Sequence, residues 1–196
     1  KSIRCENRKS DGNPCNECNS CKEITTGSCV DVLEIDGASN NGVDAIRELR
    51  DSVSYMPSNG QYKIYIIDEV HMLSNSAFNA LLKTLEEPPK HVIFMFATTE
   101  PQKIPATILS RCQRYDLRKV SSREIANLLS SIAGSEEIQH SGEALWLISK
   151  AGQGSVRDAF SAMDLCISFS NKQLTEVNVT EVLGLSDRNL RRQVLQ

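Results

Sequence analysis

Two runs of apolar residues, at positions 64–67 and 92–96, constrain the fold of this chain most strongly. Neither run alternates with polar residues, so each would be buried on both faces of a sheet. Strands of this kind are typical of the centre of a parallel sheet that is covered by helices. Segments with helical spacing separate the runs. From residue 31 the sequence therefore predicts strands and helices in alternation, which indicates an α/β fold.

The predicted elements of this layer follow one another at short intervals. Strands are predicted at 30–35, 62–67 and 92–97. Two amphipathic helices lie between them, with apolar residues at Val43, Ile46, Leu49 and Val53 in the first and at Phe78, Leu81, Leu82 and Leu85 in the second. Pro88-Pro89 stops the second helix. A short helix is predicted near Pro105, followed by one more strand at 113–117.

After residue 120 only helical patterns remain. Ser121 and Glu124 form a capping box that opens a helix reaching to about residue 132. Three more helices are predicted, one around Leu145, one from Ser155 and one near residue 178. We therefore predict an α/β domain over 1–120 that contains a cysteine-rich segment at 5–21, a small all-helical domain over 121–183, and the start of a further domain over 184–196.

Charge and hydropathy limit the functions that the chain can have. Its 22 Lys and Arg residues against 25 Asp and Glu residues give a net charge of −3. This balance argues against a wholly basic nucleic-acid binder, so any DNA contact must be local. No stretch approaches the ~18 apolar residues of a membrane span, and no secretory signal follows the basic start. We expect a cytoplasmic protein without a membrane partner and without disulfides.

Four of the seven cysteines fall within the first 21 residues, in a segment rich in Asn, Ser and Gly. They are Cys5, Cys15, Cys18 and Cys21. A segment this polar cannot order itself by burial, whereas four thiolates around Zn²⁺ would order it. With all four positions taken by protein ligands, such a zinc ion would be structural. An iron–sulfur cluster is an alternative, although the fourth cysteine of that spacing is missing. Reduced cysteines without a metal are the other alternative.

An acidic pair, Asp68-Glu69, follows the second predicted strand directly. Open α/β sheets bind ligands at the carboxyl ends of their strands. An Asp at this position can hold a Mg²⁺ ion that bridges nucleotide phosphates, and an adjacent Glu can orient an attacking water. On these residues alone, a solvated strand end remains an alternative. The string Asp68-Glu69-Val70-His71 also occurs in helicase motors, which need a much longer chain.

Longer segments resemble one family closely. Residues 63–73 and 78–89, which include Asp68-Glu69-Val70-His71 and Pro88-Pro89, resemble the bacterial DNA polymerase III gamma/tau subunits, which are clamp-loader AAA+ ATPases. Residues 97–105 look like the sensor 1 region of this family, 108–112 like its arginine-finger motif and 154–159 like its sensor 2 helix. The four cysteines precede them as in the family. The resemblance extends over essentially the whole chain.

The resemblance implies a fold and a set of roles. The fold would be an AAA+ RecA-like parallel sheet with an inserted four-cysteine zinc module, followed by a small helical lid. Asp68 would bind Mg²⁺ with ATP, and Glu69 would orient the attacking water. Thr98 or Thr99 would be sensor 1, with Thr98 favoured. Arg111 would act in trans on the nucleotide of a neighbouring subunit. Arg157 would contact the γ-phosphate in its own subunit.

Without the family, three of these residues have ordinary explanations. A threonine at a strand end commonly satisfies backbone groups. Arg111 would be a surface salt-bridge residue, and Arg157 would pair with Asp158 or Asp164 on a helix surface. The alternatives for function are a non-hydrolysing structural subunit of the same complex and a zinc-dependent DNA-binding module.

The implied function is that of a motor subunit in the DNA polymerase III holoenzyme, without a polymerase site in this sequence. ATP binding and hydrolysis would load the sliding clamp on primed DNA. The partners would be the other subunits of a hetero-pentamer, the sliding clamp and primer–template DNA. The family's phosphate-binding loop, G-x-x-x-x-G-K-[ST], does not occur in these residues. We expect that the sequence begins after that loop and ends at the family's collar domain, so that this piece alone would not hydrolyse ATP.

Overall fold

The computed structural model describes residues 1–170 and 173–185, and the chain divides into two units, Lys1–Arg114 and Tyr115–Gln196. The further domain predicted over 184–196 falls almost entirely outside the described residues. No helix among the described residues is long and apolar enough to cross a membrane.

The first unit contains a three-stranded parallel sheet. Its strands are β1 (Val32–Asp36), β2 (Lys63–Asp68) and β3 (Val92–Phe96), in the order β1-β2-β3. The three predicted strands are therefore confirmed, although β1 begins two residues later than expected. In the register, Asp36 pairs with Asp68 and Ile67 pairs with Phe96. The carboxyl ends of all three strands consequently lie at one edge of the sheet.

Four helices accompany this sheet: α1 (Asn19–Thr26), α2 (Val43–Val53), α3 (Asn75–Glu86) and α4 (Ala106–Leu109). Ile46 of α2 and Leu81 of α3 are fully buried in one core with Tyr65 of β2. The side chain of Ser74 caps α3 by accepting from the backbone N–H of Ala77 at 3.2 Å. The helical spacing of the sequence thus predicted the faces that pack on the sheet.

Two features of the first unit differ from the sequence prediction. The strand predicted at 113–117 is wrong, because the segment has no regular structure and Tyr115 and Leu117 are 73% and 95% exposed. Alternating apolar residues form a strand only where a neighbouring strand satisfies the backbone, and the described sheet offers none to this segment. Helix α1 was not predicted, since Cys21, the one cysteine within it, contributes little to an amphipathic pattern.

The second unit is built mainly from helices: α5 (Ser122–Ser135), α6 (Gly142–Ala151), α7 (Val156–Phe169) and α8 (Glu176–Val182). The predicted capping box is confirmed, because the Ser121 hydroxyl accepts from the Glu124 N–H at 3.3 Å and the Glu124 carboxylate accepts from the Ser121 N–H at 3.1 Å. Residues such as Leu129, Ile148 and Met163 form its buried core.

The description of this unit as all-helical is wrong in one detail. Two short strands, β4 (Gln139–His140) and β5 (Gln173–Leu174), pair in parallel. Leu174 is 1% exposed and anchors β5 in the helical core. Each strand has only two residues, which is too short for a period of two to be recognised in the sequence.

A buried ion pair ties the start of the chain to the sheet. Arg4 donates to the Asp31 carboxylate at 2.8 Å and to the Asn59 carbonyl at 2.6 Å, and it also donates to the Tyr62 carbonyl. The side chains of Arg4 and Asp31 are only 2% and 3% exposed. The backbone N–H groups of Ser58 and Asn59 donate to the same carboxylate at 2.9 and 3.0 Å. The pair therefore joins segments that lie 27 to 58 residues apart in the sequence.

Opposing influences act on the Asp31 carboxyl. Burial alone would raise its pKa, but the N–H groups of Ser58 and Asn59 and the Arg4 guanidinium together lower it. A carboxyl with a lowered folded pKa contributes stability above its ordinary pKa of about 3.9, and this contribution disappears as the pH falls through the folded value.

We expect Arg4→Ala to lower the free energy of unfolding by about 3–5 kcal/mol at pH 7, because Asp31 would stay buried without its partner. The loss relative to wild type should shrink as the pH falls through the folded pKa of Asp31. Urea denaturation over a pH series measures both effects.

Arg47→Ala is the matched control, because Arg47 pairs with Asp44 at 3.1 Å with both side chains more than half exposed. Its loss should lie within about 0–1 kcal/mol. Equal losses for the two variants would show that burial adds nothing to the Arg4–Asp31 pair.

Candidate nucleotide site and cysteine cluster

Four of the predicted site residues meet at the carboxyl edge of the sheet. Asp68 ends β2 and is exposed, and Glu69 follows it; Thr98 and Thr99 follow β3. The Glu69 carboxylate oxygen Oε2 accepts from the Thr99 backbone N–H at 3.2 Å and from the Thr99 hydroxyl at 3.1 Å. The parallel register of β2 and β3 thus brings an acidic pair and two hydroxyls together across about 30 residues of sequence.

The two threonines make different contacts with this edge. Thr99 binds Glu69 directly, whereas the Thr98 hydroxyl lies 3.0 Å from Nδ1 of His71 and accepts from the Glu100 N–H at 3.0 Å. Nδ1 of His71 is also 3.2 Å from Oε2 of Glu69. Thr98, the residue that the family resemblance favours as sensor 1, is therefore linked to Glu69 through His71.

The backbone of Glu69 has an unusual conformation. Its φ of 45° lies in the left-handed region, which residues other than glycine rarely adopt. Hydrogen bonds on both sides hold it there. The Asp68 carbonyl accepts from the Gly37 N–H at 2.8 Å, the Val70 N–H donates to the Ala97 carbonyl at 3.0 Å, and the Glu69 carbonyl accepts from the Met72 N–H at 2.9 Å. Strain of this kind persists where the surroundings determine the backbone, as at many functional sites.

Gly37 makes this arrangement possible. It follows β1, and a Cβ atom at this position would lie 2.8 Å from the Glu69 carbonyl oxygen and 2.9 Å from that of Asp68. Both neighbours are backbone atoms, which cannot rotate away. Gly37 was not predicted as a site residue, although a glycine directly after a strand that ends at the same edge is a signal for close backbone approach.

Other carboxylates surround this edge. The Ser39 hydroxyl, at 2.6 Å, and the Ala38 N–H, at 3.0 Å, lower the pKa of Asp36 at the end of β1. The Lys103 ammonium lies 2.6 Å from the Glu100 carboxylate and lowers the pKa of that group. The edge is therefore rich in ionised acids, which suits a site for a divalent cation.

Arg111 and Arg157 are not part of these contacts. Arg111 follows α4, where its guanidinium donates to Glu86 of α3 at 2.7 Å and to the Thr107 carbonyl at 2.7 Å. A third of its side chain is exposed. Arg157 belongs to the second unit, where it is exposed in the first turn of α7.

The four cysteines near the start of the chain lie together. The sulfur atoms of Cys5, Cys15, Cys18 and Cys21 are all within 4.8 Å of one another. Tetrahedral coordination with Zn–S bonds of about 2.3 Å separates sulfurs by about 3.8 Å, so the group needs only a small contraction to hold zinc. Helix α1 supplies Cys21, and Cys18 is its N-cap residue.

The thiols of this cluster differ in acidity. The backbone N–H groups of Cys18 and Glu17 donate to the Cys15 sulfur at 3.3 and 3.4 Å and lower its pKa to about 6. Burial raises the pKa of Cys21 to about 12. The N–H bonds to the Cys15 sulfur stabilise its thiolate form, and the thiolate is the form that binds metal ions.

Comparison with known proteins identifies the family. A family model described as "DNA polymerase III, delta subunit" matches residues 1–121, and one described as "DNA polymerase III clamp loader subunit, ATPase lid domain" matches residues 124–172. The chain belongs to the DNA polymerase III clamp-loader subunit family. The resemblance to this family is thereby confirmed.

Similar proteins come from several bacteria. The chain is 56% identical over 184 residues to DNA polymerase III subunit tau of Bacillus subtilis (strain 168), a match that covers 94% of this chain and 32% of that protein. It is 46% identical over 187 residues to subunit tau of Escherichia coli (strain K12), covering 95% and 29%. It is also 46% identical to subunit gamma of Buchnera aphidicola subsp. Acyrthosiphon pisum, covering 94% and 51%. The clamp-loader chain thus spans about a third to a half of these relatives.

Solved structures with a similar fold include Thermotoga maritima RuvB proteins. One of these RuvB chains has a TM-score of 0.65 at 14% identity, over 79% of this chain and 52% of that one. The structure described as the RuvB Holliday junction branch migration motor has a TM-score of 0.59 at 14% identity, over 94% and 73%. These similarities concern the fold alone. They confirm the α/β class of the chain with its parallel sheet.

We expect Gly37→Ala to lower the free energy of unfolding of this clamp-loader subunit by about 1–3 kcal/mol, because the added Cβ would push against two backbone oxygens. Thermal unfolding monitored by circular dichroism measures the change. Gly142→Ala is the control, since Gly142 lies in the first turn of α6, where a Cβ meets nothing within 4 Å. Similar stabilities for the two variants would contradict the close approach at Gly37.

Proposed function

We propose that this chain forms the zinc-bearing part of the ATPase domain and the lid of a motor subunit of the DNA polymerase III clamp loader. One observation carries the proposal: in a member of the clamp-loader family, Asp68 and Glu69 meet Thr98 and Thr99 at the carboxyl edge of a parallel sheet. Ligands of open α/β sheets bind at this edge. The complete subunit would use ATP binding and hydrolysis to load the sliding clamp on primed DNA.

The two acids have separate tasks in this proposal. Asp68 is exposed at the end of β2, where its carboxylate can bind Mg²⁺. Glu69 is anchored through Oε2, which accepts both Thr99 bonds, so its other oxygen, Oε1, is left to orient a water. Mg²⁺ bound with ATP would neutralise charge on the phosphates during transfer. Thr98 and Thr99 place hydroxyls beside these acids, as a sensor of the γ-phosphate requires.

The two arginines act from outside this cluster. Arg111 is presented at the surface by Glu86 and the Thr107 carbonyl, and we assign it to the nucleotide of a neighbouring subunit. Fingers of this kind contribute roughly 10³ to 10⁵ in rate. Arg157 opens the lid helix α7, and we assign it to the γ-phosphate of its own subunit.

The proposal includes partners and a compartment. The relatives are named as DNA polymerase III subunits tau and gamma, which supports a multi-subunit complex. We propose that this complex is a cytoplasmic hetero-pentamer that engages the sliding clamp and primer–template DNA. A non-hydrolysing structural subunit of the same complex would not need a water-orienting carboxylate. The two hydrogen bonds that fix Glu69 favour the hydrolysing motor over that alternative. The net charge of −3 disfavours a zinc-dependent DNA-binding module.

The test uses the full-length subunit in the reconstituted clamp loader with its clamp and primed DNA. Glu69→Gln should leave ATP bound but slow hydrolysis by about 10² or more, because the amide cannot accept the proton of the attacking water. Arg111→Ala should also preserve binding while removing roughly 10³-fold or more of the turnover at the neighbouring site. A fluorescent ATP analogue reports binding, and phosphate release reports turnover.

Arg47→Ala removes an exposed arginine on α2 and should leave both readouts unchanged. Loss of nucleotide binding in Glu69→Gln would indicate a structural role for Glu69. Unchanged turnover in Arg111→Ala would contradict the action in trans.

The cysteine cluster has its own proposed occupant, a structural zinc ion. All four sulfurs would be ligands, so no position would remain open for a substrate, and the metal would order the segment 5–21. The proximity of the sulfurs supports this assignment over cysteines without a metal.

We expect the purified protein to contain about one zinc ion per chain, as four thiolate ligands imply. Cys15→Ser should lose most of this zinc and expose residues 5–21 to limited proteolysis. Cys29→Ala, which removes a buried cysteine outside the cluster, should keep it. Metal analysis by mass spectrometry measures the content, and iron or no metal in the wild type would contradict the zinc site.

A further inference from the structure

His71 has a role at the candidate site that the sequence motif does not explain. It lies in the short 3-10 turn Val70–Met72, directly after Glu69, and its side chain is only 6% exposed. A polar ring buried this deeply must find hydrogen-bond partners or destabilise the fold. The atoms that the His71 ring contacts therefore indicate its role.

Both ring nitrogens face oxygen atoms of the candidate site or its border. Nδ1 lies 3.0 Å from the Thr98 hydroxyl and 3.2 Å from Oε2 of Glu69. Nε2 lies 3.2 Å from Oε2 of Glu100. The imidazole thus contacts residues that follow β2 and residues that follow β3. On Glu69 it contacts Oε2, the oxygen that also accepts the two hydrogen bonds from Thr99.

These contacts have directional consequences. The two nitrogens of an imidazole point in fixed directions, so the position of one partner limits the position of the other. Hydrogen bonds to charged acceptors are stronger than neutral ones, and low exposure strengthens them further. Glu100 is itself held by Lys103 at 2.6 Å, which fixes the far side of the ring.

Glu69 depends on such an anchor. Its backbone is strained at a φ of 45°, and its side chain is 35% exposed, so water competes for the carboxylate. Without the histidine, Oε2 would keep only the bonds from Thr99, a residue that is itself exposed. Small displacements of a catalytic group can lower a rate by about 10²-fold.

We propose that His71 is a positioning residue, which uses Nδ1 to hold the Glu69 carboxylate and the Thr98 hydroxyl in one arrangement for ATP hydrolysis. The inference rests on the proposed function, since it concerns the same site. His71 would touch neither the nucleotide nor the attacking water. Its contribution would therefore appear in turnover and not in nucleotide affinity.

Two isosteric substitutions separate the functions of the two ring nitrogens. The amide nitrogen of Asn lies near the position of Nδ1, whereas that of Gln lies near the position of Nε2. His71→Asn therefore keeps an amide nitrogen at the Nδ1 position, beside Glu69 and Thr98, and His71→Gln keeps one at the Nε2 position, beside Glu100. His71→Ala removes both ring nitrogens.

The experiment measures steady-state ATP hydrolysis by the full-length subunit in the assembled clamp loader. His71→Ala and His71→Gln should lower kcat by about 10- to 100-fold with little change in the KM for ATP. His71→Asn should recover most of the lost kcat. The thermal unfolding midpoint of each variant is measured in parallel.

His91→Ala is the matched control. His91 is a half-buried histidine of the same unit, and its Nε2 contacts the Val53 carbonyl at 3.2 Å, away from the site. The His91→Ala variant should keep the wild-type kcat even if its thermal unfolding midpoint is lower. This control separates a general cost of removing a histidine from a loss of positioning.

The outcomes distinguish the inference from the proposed function. If Glu69→Gln lowers turnover but His71→Ala does not, the positioning role is wrong and the motor assignment stands. If His71→Asn and His71→Gln are equally impaired, Nδ1 has no special role and the inference is overturned. If Glu69→Gln itself leaves turnover unchanged, the proposed function fails. Should His71→Ala not fold, the Asn and Gln variants still decide.

Discussion

The parallel pairing of β1, β2 and β3 is the constraint on which the candidate site depends. In a parallel sheet all strands end on the same side, so residues that follow different strands meet without being close in sequence. Asp36, Asp68 and Thr98 meet the same edge for this reason. Helices α2 and α3 make the crossovers that parallel pairing requires, and their apolar faces pack on the strands. The hydrophobic pattern that forms the core therefore also determines which polar residues can act together.

The site itself is assembled by backbone contacts as much as by side chains. Gly37 approaches the Asp68-Glu69 peptide within hydrogen-bond distance, and Val70 bonds to the segment after β3. These bonds hold Glu69 in a conformation that an isolated peptide would avoid. The acidic side chain is thus aimed by its neighbours in the sheet. A change at Gly37 would act on the site although Gly37 has no side chain to contribute.

Features that depend on a local sequence pattern could be predicted from the sequence. The apolar runs predicted the three strands, the helical spacing predicted α2 and α3, and Ser121 with Glu124 predicted the start of α5. Features that depend on distant partners were not. The Arg4–Asp31 pair spans 27 residues, and nothing near either residue marks it as buried. The contacts of His71 with Thr98 and Glu100 have the same origin. The strand predicted at 113–117 does not form, because a local pattern cannot supply a neighbouring strand to pair with.

Two arginine–carboxylate pairs with nearly equal N···O distances illustrate how exposure determines the strength of an ion pair. Arg4 lies 2.8 Å from Asp31 and is buried, whereas Arg111 lies 2.7 Å from Glu86 with a third of its side chain in solvent. Exposed pairs contribute only about 0–1 kcal/mol, so their partners separate and rejoin readily. In the proposed role, Arg111 would exchange Glu86 for a more highly charged anion with little loss of free energy. The pair that would have to open in the proposed role is thus the one that water already weakens, whereas the Arg4–Asp31 pair is shielded from water.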